Sequence, residues 1–140
     1  MITRTEKSHI KKILEIDSQL KTSLWSEKSF LSEIENNYSY NLTSFHSSII
    51  NGYMFGWMIK NEYHLNKIVV CKKYRRIGIA KNMIEMVTNF PKLKRIYLEV
   101  SDKNVAANKL YKSIGFMTDG FRKKYYSDGS NAKLYKLEVR

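Results

Sequence analysis

The sequence predicts an α/β fold: a central mixed, mostly antiparallel sheet with a parallel pair at its middle and helices on both faces. Three observations carry that prediction. Strand patterns between residues 40 and 70 follow one another across short turns, which makes an antiparallel meander. From His64 onward, strand patterns alternate with helical ones, which brings two strands side by side in parallel. Between these halves, the β-branched run Ile68-Val69-Val70 enters a basic loop, Cys71-Lys72-Lys73-Tyr74-Arg75-Arg76, and then a helical pattern with Gly78 in its first turn.

The elements follow in order. Ile10, Ile13, Leu14, Asp17 and Leu20 recur at helical spacing, which predicts a helix from about Ser8 to Lys21. A short loop, Thr22-Ser23-Leu24-Trp25, precedes Ser26. That serine reads as an N-cap, with Glu27 in the first turn and Phe30, Leu31 and Ile34 forming an apolar face. Asn51-Gly52 is a hairpin signal, since both residues tolerate the positive φ of a type I′ turn. It is expected to join a strand at Tyr40–Ile50 to one at Tyr53–Ile59, and Asn61-Glu62 to turn into a strand at His64–Val70. The next helix begins near Arg76, carries Ile79, Met83, Met86 and Val87 on one stripe, and stops before Pro91. Arg95–Val100 is a strand. Asn104 caps a helix whose inner face is Ala107, Leu110, Tyr111 and Ile114, with Gly115 as its left-handed terminator. Strands at Met117–Tyr126 and Ala132–Val139 flank an Asp128-Gly129 turn. No repeat or linker interrupts the chain, so residues 1–140 read as a single domain.

Composition narrows the function classes. Apolar residues make up 43% of the 140-residue chain, enough for a packed core. No apolar run is long enough to span a bilayer, the N-terminal segment Met1–Lys7 lacks a signal-peptide core, and a lone cysteine cannot form an internal disulfide. These features predict a cytoplasmic protein with no membrane partner. The net charge of +12 is compatible with an anionic partner. However, lysine far outnumbers arginine, and Lys, Asn, Ile, Ser and Tyr are abundant throughout, as an AT-rich genome produces. Arginine is the usual reader of phosphates and bases, so nucleic acid is not expected as a direct substrate.

Ligands in sheets of this kind bind at the carboxyl ends of the strands, which gathers Val70, the Arg75–Lys81 segment, Glu99 and Asn104 around one crevice. A strand that runs through a glycine-containing loop into a helix presents free N–H groups and the positive end of the helix dipole, a phosphate-binding arrangement. Gly78 lets the phosphate approach the backbone, and Arg75, Arg76 and Lys81 add charge. Glu99 ends an apolar strand; half-buried there it suits a general base, and turned outward it pairs with a cation. Tyr111 is either a core residue with a wet hydroxyl or a proton donor, since a phenol titrates near 10. His9, His46 and His64 share no ligand spacing, and Cys71 has no paired base with which to act as a nucleophile.

The motifs in chain order are Trp25-Ser26-Glu27, Asn51-Gly52, Arg75-Arg76-x-Gly78-x-Ala80, Leu98-Glu99-Val100 followed by Asn104, Leu110-Tyr111-x-x-Ile114-Gly115-Phe116, and Arg122-x-x-Tyr125-Tyr126. This set resembles the GNAT acetyltransferases, and within them the RimI type, which acetylates the N-terminal alanine of small-subunit ribosomal protein eighteen. The resemblance spans residues 23 to 137. It implies the GNAT fold, with the parallel pair splayed at the cofactor site, and acetyl-CoA as cosubstrate without a metal. It implies that Ile68, Val69 and Val70 bind the acetyl-pantetheine arm, that Arg75, Arg76, Ile77, Gly78, Ile79, Ala80 and Lys81 hold the pyrophosphate, and that Asn104 contacts the cofactor. Glu99 matches the general base and Tyr111 the general acid, while Trp25, Tyr125 and Tyr126 wall the peptide groove, with Leu24–Glu27 and Tyr125–Asp128 around them. The expected partner is a protein N-terminus, that of a ribosomal protein first, with association with the ribosome left open. Two departures stand out: Ser23-Leu24 replaces the usual Phe-Pro before the tryptophan, and Cys71-Lys72 replaces Asp-Pro after the third meander strand. A GNAT enzyme acting on lysine side chains, polyamines or another small amine is the alternative chemistry. A basic RNA- or ribosome-binding module that kept the fold without catalysis is the alternative class.

Overall fold

A computed structural model describes residues 1–20 and 25–139. Among these, seven strands form one sheet in the order β1-β2-β3-β4-β5-β7-β6. They are β1 (Ile2–Arg4), β2 (Leu42–His46), β3 (Ile49–Ile59), β4 (Glu62–Val70), β5 (Arg95–Ser101), β6 (Met117–Arg122) and β7 (Ala132–Glu138). Four α-helices accompany them: α1 (Ile10–Ser18), α2 (Glu27–Glu35), α3 (Ile79–Thr88) and α4 (Val105–Ile114). Only β4 and β5 pair in parallel; the other neighbours are antiparallel.

Strand alternation sorts β3 between two cores. Met54 joins Leu65, Ile96, Leu98 and Tyr135 beneath Met83, Ile84 and Val87 of α3 and Tyr111 of α4. Tyr53 and Phe55 point the other way, toward Ile10 and Ile13 of α1 and Phe30 of α2. Helices therefore cover both faces, as the alternation of elements predicts. Helix boundaries follow local chemistry at α2, where Ser26 Oγ accepts from the Ser29 N–H, and at α4, where Asn104 Oδ1 accepts from the Ala107 N–H and Gly115 terminates at φ 117°.

Several expected boundaries are corrected. Asn51-Gly52 is not a hairpin turn. The chain reverses at Ser47-Ser48, with Ser47 at φ 54°, and His46 pairs with Ile49. Asn51 is instead the extra residue of a β-bulge opposite Ser44 and Phe45, inside β3. The same tolerance for irregular backbone that marks a turn locally serves here to kink a long strand. The second turn lies at Lys60-Asn61, so β4 starts at Glu62, before the expected His64. The first helix is shorter than expected: a 3₁₀ turn at Lys7–His9 leads into α1, which ends at Ser18, and the expected end at Lys21 and the loop 22–24 lie outside the described residues. α3 starts at Ile79, not near Arg76, because Arg76 (φ 65°) and Gly78 (φ 89°) are both left-handed and cannot continue a right-handed helix. β6 ends at Arg122, well before Tyr126. The short edge strand β1 was not anticipated.

Candidate active site

The parallel pairing of β4 with β5 runs from Glu62↔Arg95 to Leu65↔Leu98 and then stops. A bulge at Asn66 causes the divergence: Gly56 faces Leu65 while Phe55 faces Lys67, so β4 gains one residue against β3 and bends. Gly56 permits this close packing, since a Cβ there would stand 2.3 Å from the Tyr63 ring. Beyond Leu65, Ile68, Val69 and Val70 remain paired to β3, but their edge facing β5 has no strand partner among the described residues. The result is a V-shaped crevice whose β4 wall offers free backbone groups, where the splayed pair was expected.

The basic loop closes the crevice at the carboxyl end of β4. After a 3₁₀ turn at Lys72–Tyr74, the left-handed Arg76 and Gly78 lead into α3, and among the described residues no side chain caps its start. The first N–H groups of an α-helix have no intrahelical acceptor, so those of Ile79, Ala80 and Lys81 are available to an anion. Space over Gly78 is open, with nothing within 4 Å of where a Cβ would sit. Arg75 folds back so that its Nε donates to the Val70 carbonyl at 3.0 Å, Ile77 is exposed, and Lys81 leans toward Glu85 at 3.9 Å. Asn104 has a structural task as the α4 cap, its Oδ1 3.1 Å from the Ala107 nitrogen.

The Glu99 side chain is 36% exposed. Ile96, Leu98 and Val100 face the core, so Glu99 emerges on the opposite face, the one covered by α1 and α2, and its carboxylate lies 3.3 Å from Arg122 Nε. Features of both readings open in the sequence are present: the side chain is largely covered, and it is paired with a cation. Tyr111 is buried against Phe116 and Tyr135, and its hydroxyl makes no hydrogen bond among the described residues. Burial pushes its phenol well above the ordinary tyrosine range, helped by Tyr126. The group therefore holds its proton firmly, and the match with a thiolate's basicity that the sequence suggests is absent from this environment. Tyr126 is raised by burial, Glu99 and Tyr125, which places it within electrostatic reach of both Glu99 and Tyr111. Tyr125 packs edge-on to Tyr126 at 5.1 Å and lies under the Arg122 guanidinium at 5.5 Å. Trp25 lies across the sheet, its ring 5.0 Å from Phe30 and 5.7 Å from Phe55.

Sequence reasoning missed the residues that fix these parts. Asn108 is buried in α4 and donates to the Ser101 and Asn104 carbonyls at 3.1 and 2.7 Å while accepting from Tyr135 Oη at 2.6 Å. Asn131 binds both Asp102 oxygens, at 3.2 and 2.9 Å, and Ser101 Oγ donates to Ser130 Oγ at 2.7 Å. These bonds tie the Tyr125–Tyr126 loop to the β5–α4 connection. A polar residue on the apolar stripe of α4 is the signal that could have revealed Asn108. Arg122 stood in a quoted motif but without a role.

Burial raises the Cys71 thiol, with Arg75 opposing the shift. That is the wrong direction for a nucleophile. Among the described residues, no group of three His, Cys, Asp or Glu side chains is placed to hold a metal ion, and no helix is long and apolar enough to cross a membrane.

Comparison with known proteins agrees with this geometry. The family described as "Acetyltransferase (GNAT) domain" matches residues 5–139. A candidate ribosomal protein bS18-alanine N-acetyltransferase of Bacillus subtilis (strain 168) is 30% identical over 126 residues, covering 87% of this chain and 83% of the relative. The ribosomal protein bS18-alanine N-acetyltransferase of Escherichia coli (strain K12) is 33% identical over 110 residues, covering 73% and 70%. The crystal structure of the ribosomal-protein-S18-alanine N-acetyltransferase from Escherichia coli superposes with a TM-score of 0.90 at 25% identity, covering 99% of this chain and 93% of that one.

Proposed function

The chain belongs to the GNAT acetyltransferase family, and from that membership we propose that it moves the acetyl group of acetyl-CoA to a protein N-terminal α-amine, that of the alanine of ribosomal protein bS18 first. The observation that supports this reading is the crevice itself: diverging strands with a free β4 edge, an uncapped helix start behind two left-handed residues, and Glu99 as the first β5 residue past the last parallel pair. These features fit acetyl-CoA. The free N–H groups of Ile79, Ala80 and Lys81, with Arg75, Arg76, Ile77 and Gly78 around them, hold its pyrophosphate. Ile68, Val69 and Val70 bind its pantetheine arm by their backbone, and Asn104 contacts it through the amide nitrogen left over from capping. When bound, it supplies an activated acetyl thioester.

The chain's own residues do the rest. Glu99, directly or through a water, takes one proton from the acceptor amine, whose ordinary pKa of about 7.7–8.0 makes modest help sufficient. The amine nitrogen forms a bond to the acetyl carbon as the carbon–sulfur bond breaks. A backbone N–H near Val70 stabilises the oxygen that gains charge, and Tyr111 donates a hydrogen bond to the departing sulfur, which leaves as thiolate while the nitrogen's surplus proton passes to water. Donation from so retentive a phenol is uphill, so Tyr111 acts by hydrogen bonding to the sulfur as charge grows there. The Glu99–Arg122 pair is exposed and therefore weak, which lets an incoming amine take the guanidinium's place. Trp25, Tyr125 and Tyr126 flank the acceptor. A cytoplasmic setting, where ribosomal proteins are made, fits the reaction.

The test is CoA thiol release from acetyl-CoA with three acceptors: a peptide beginning Ala-Arg, the same peptide N-blocked with one lysine, and spermidine. Preference for the free α-amine is expected. Preference for lysine or spermidine would overturn the acceptor class. Acetyl-CoA binding without turnover would favour a binding module.

A further inference from the structure

A buried ion pair lies on the α1–α2 face of the sheet, where β4 leaves β5, and has no part in the mechanism above. Asp17, at the end of α1, is 0% exposed. Its Oδ1 accepts from Tyr53 Oη at 2.7 Å, and Lys67 Nζ donates to Oδ1 at 2.9 Å and to Oδ2 at 3.2 Å. Aromatic rings surround the ammonium, Trp25 at 5.1 Å and Phe30 at 6.0 Å. Apolar residues of similar volume hold such a position at least as well as a buried ion pair does, so core stability gives the pair little reason to exist.

Its position supplies a reason. Lys67 is the first residue beyond the Asn66 bulge, immediately past the last β4–β5 pairing. It sits opposite Phe55 in register and therefore on the α1–α2 face of the sheet, the face from which Glu99 emerges on the other diverging strand. The two ends of the pair are not equally hidden. The Lys67 side chain retains 11% exposure and Asp17 none, so the pair meets its surroundings through the cation.

Building on the acceptor reading above, we infer that the Lys67–Asp17 pair is a charge filter. It rejects acceptors with a second cation close to the reacting amine, namely polyamines and peptides whose first residue is lysine or arginine, and admits an α-amine on a small uncharged residue. Two like charges about 6–8 Å apart at an effective dielectric near 20 repel by about 30- to 100-fold in affinity. Asp17 offsets part of this and leaves a discrimination of about tenfold. Trp25 holds the ammonium in place, which assigns that residue a role in the filter beyond lining the groove. Lys67 is thus a specificity-determining residue, and Asp17 and Tyr53 position it.

The experiment compares kcat/KM for two peptides that differ only in a first residue of Ala or Lys, and for spermidine, in wild type and in the double variant Asp17→Asn, Lys67→Met. The double variant removes both charges while Tyr53 keeps an acceptor. The Ala-over-Lys and Ala-over-spermidine ratios should fall about tenfold because the cationic acceptors improve, with acetyl-CoA affinity unchanged. Lys67→Arg should keep the wild-type ratios, and Lys67→Gln gives a second reading if the double variant fails to fold. Unchanged ratios in a folded variant would overturn the filter alone, since wild type would still prefer the alanine peptide. Wild-type preference for spermidine, or no turnover of either peptide, would overturn the acceptor reading and the filter with it.

Discussion

Replacing Asn108 with alanine tests whether one buried amide sets the geometry of the crevice. Of its three hydrogen bonds, two are cheap to lose: the Ser101 carbonyl still accepts from the Asn104 N–H at 3.1 Å, and the Asn104 carbonyl from the Asn108 N–H at 3.0 Å. Losing them costs about 0.5–1.5 kcal/mol each at most. The third is different. The Tyr135 hydroxyl, on a residue 1% exposed, loses its acceptor at 2.6 Å, and a stranded buried donor costs about 1–3 kcal/mol. The total is about 3 kcal/mol, a large part of a typical 5–15 kcal/mol stability. Urea unfolding of Asn108→Ala, Tyr135→Phe and the double variant separates these contributions. Tyr135→Phe should cost about 1 kcal/mol alone yet restore about 1 kcal/mol in the Asn108→Ala background, because it removes the stranded hydroxyl. Strict additivity, or an Asn108→Ala cost below about 1 kcal/mol, would refute the reasoning.

Three other outcomes follow from the site. Glu99→Gln should lower kcat by about 10²-fold or more while the acetyl-CoA Kd stays unchanged; normal turnover would remove Glu99 from the reaction. Gly78→Glu should keep the protein folded, since open space surrounds that position and left-handed strain costs only about 1–2 kcal/mol. It should nevertheless abolish acetyl-CoA binding by calorimetry, and retained affinity would dismiss the phosphate loop. Burial holds the phenols of Tyr53, Tyr63 and Tyr111 above the ordinary value, with Asp17 adding to the shift at Tyr53. Folded pKa values raised above unfolded ones mean that stability is fully present below about pH 10 and lost as pH rises beyond it. The urea midpoint should therefore be flat in this respect from pH 8 to 10 and fall toward pH 11; a flat profile throughout would count against the burial of these groups.

Element order from α1 onward, the caps of α2 and α4 and the parallel pair were legible, the caps because they rest on short-range chemistry: Ser26, Asn104 and Gly115 act within four residues of themselves. The errors arose where a local signal met a longer-range constraint. Asn51-Gly52 tolerates irregular backbone, and the pairing register decided whether that became a turn or a bulge. Glu99 could be placed on an alternating strand, yet its partner Arg122 comes from another strand, a relation that no spacing encodes. Asn131 and Lys67 were invisible for the same reason, since each acts through a residue distant in sequence, and only the polar interruption of the α4 stripe marks Asn108. The phosphate loop lay between these cases: its residue types were readable, but the left-handed turn at Arg76, which delays α3 by three residues, was not.

Asn131 and Ser130, hydrogen-bonded to Asp102 and Ser101, give the molecule a shared fulcrum. The connection that launches α4 and the loop that carries Tyr125 and Tyr126 are fastened to each other, so a shift of one pulls on the other. A ligand that settles the start of α4 also settles the tyrosine loop, and linkage makes the effect run equally in reverse.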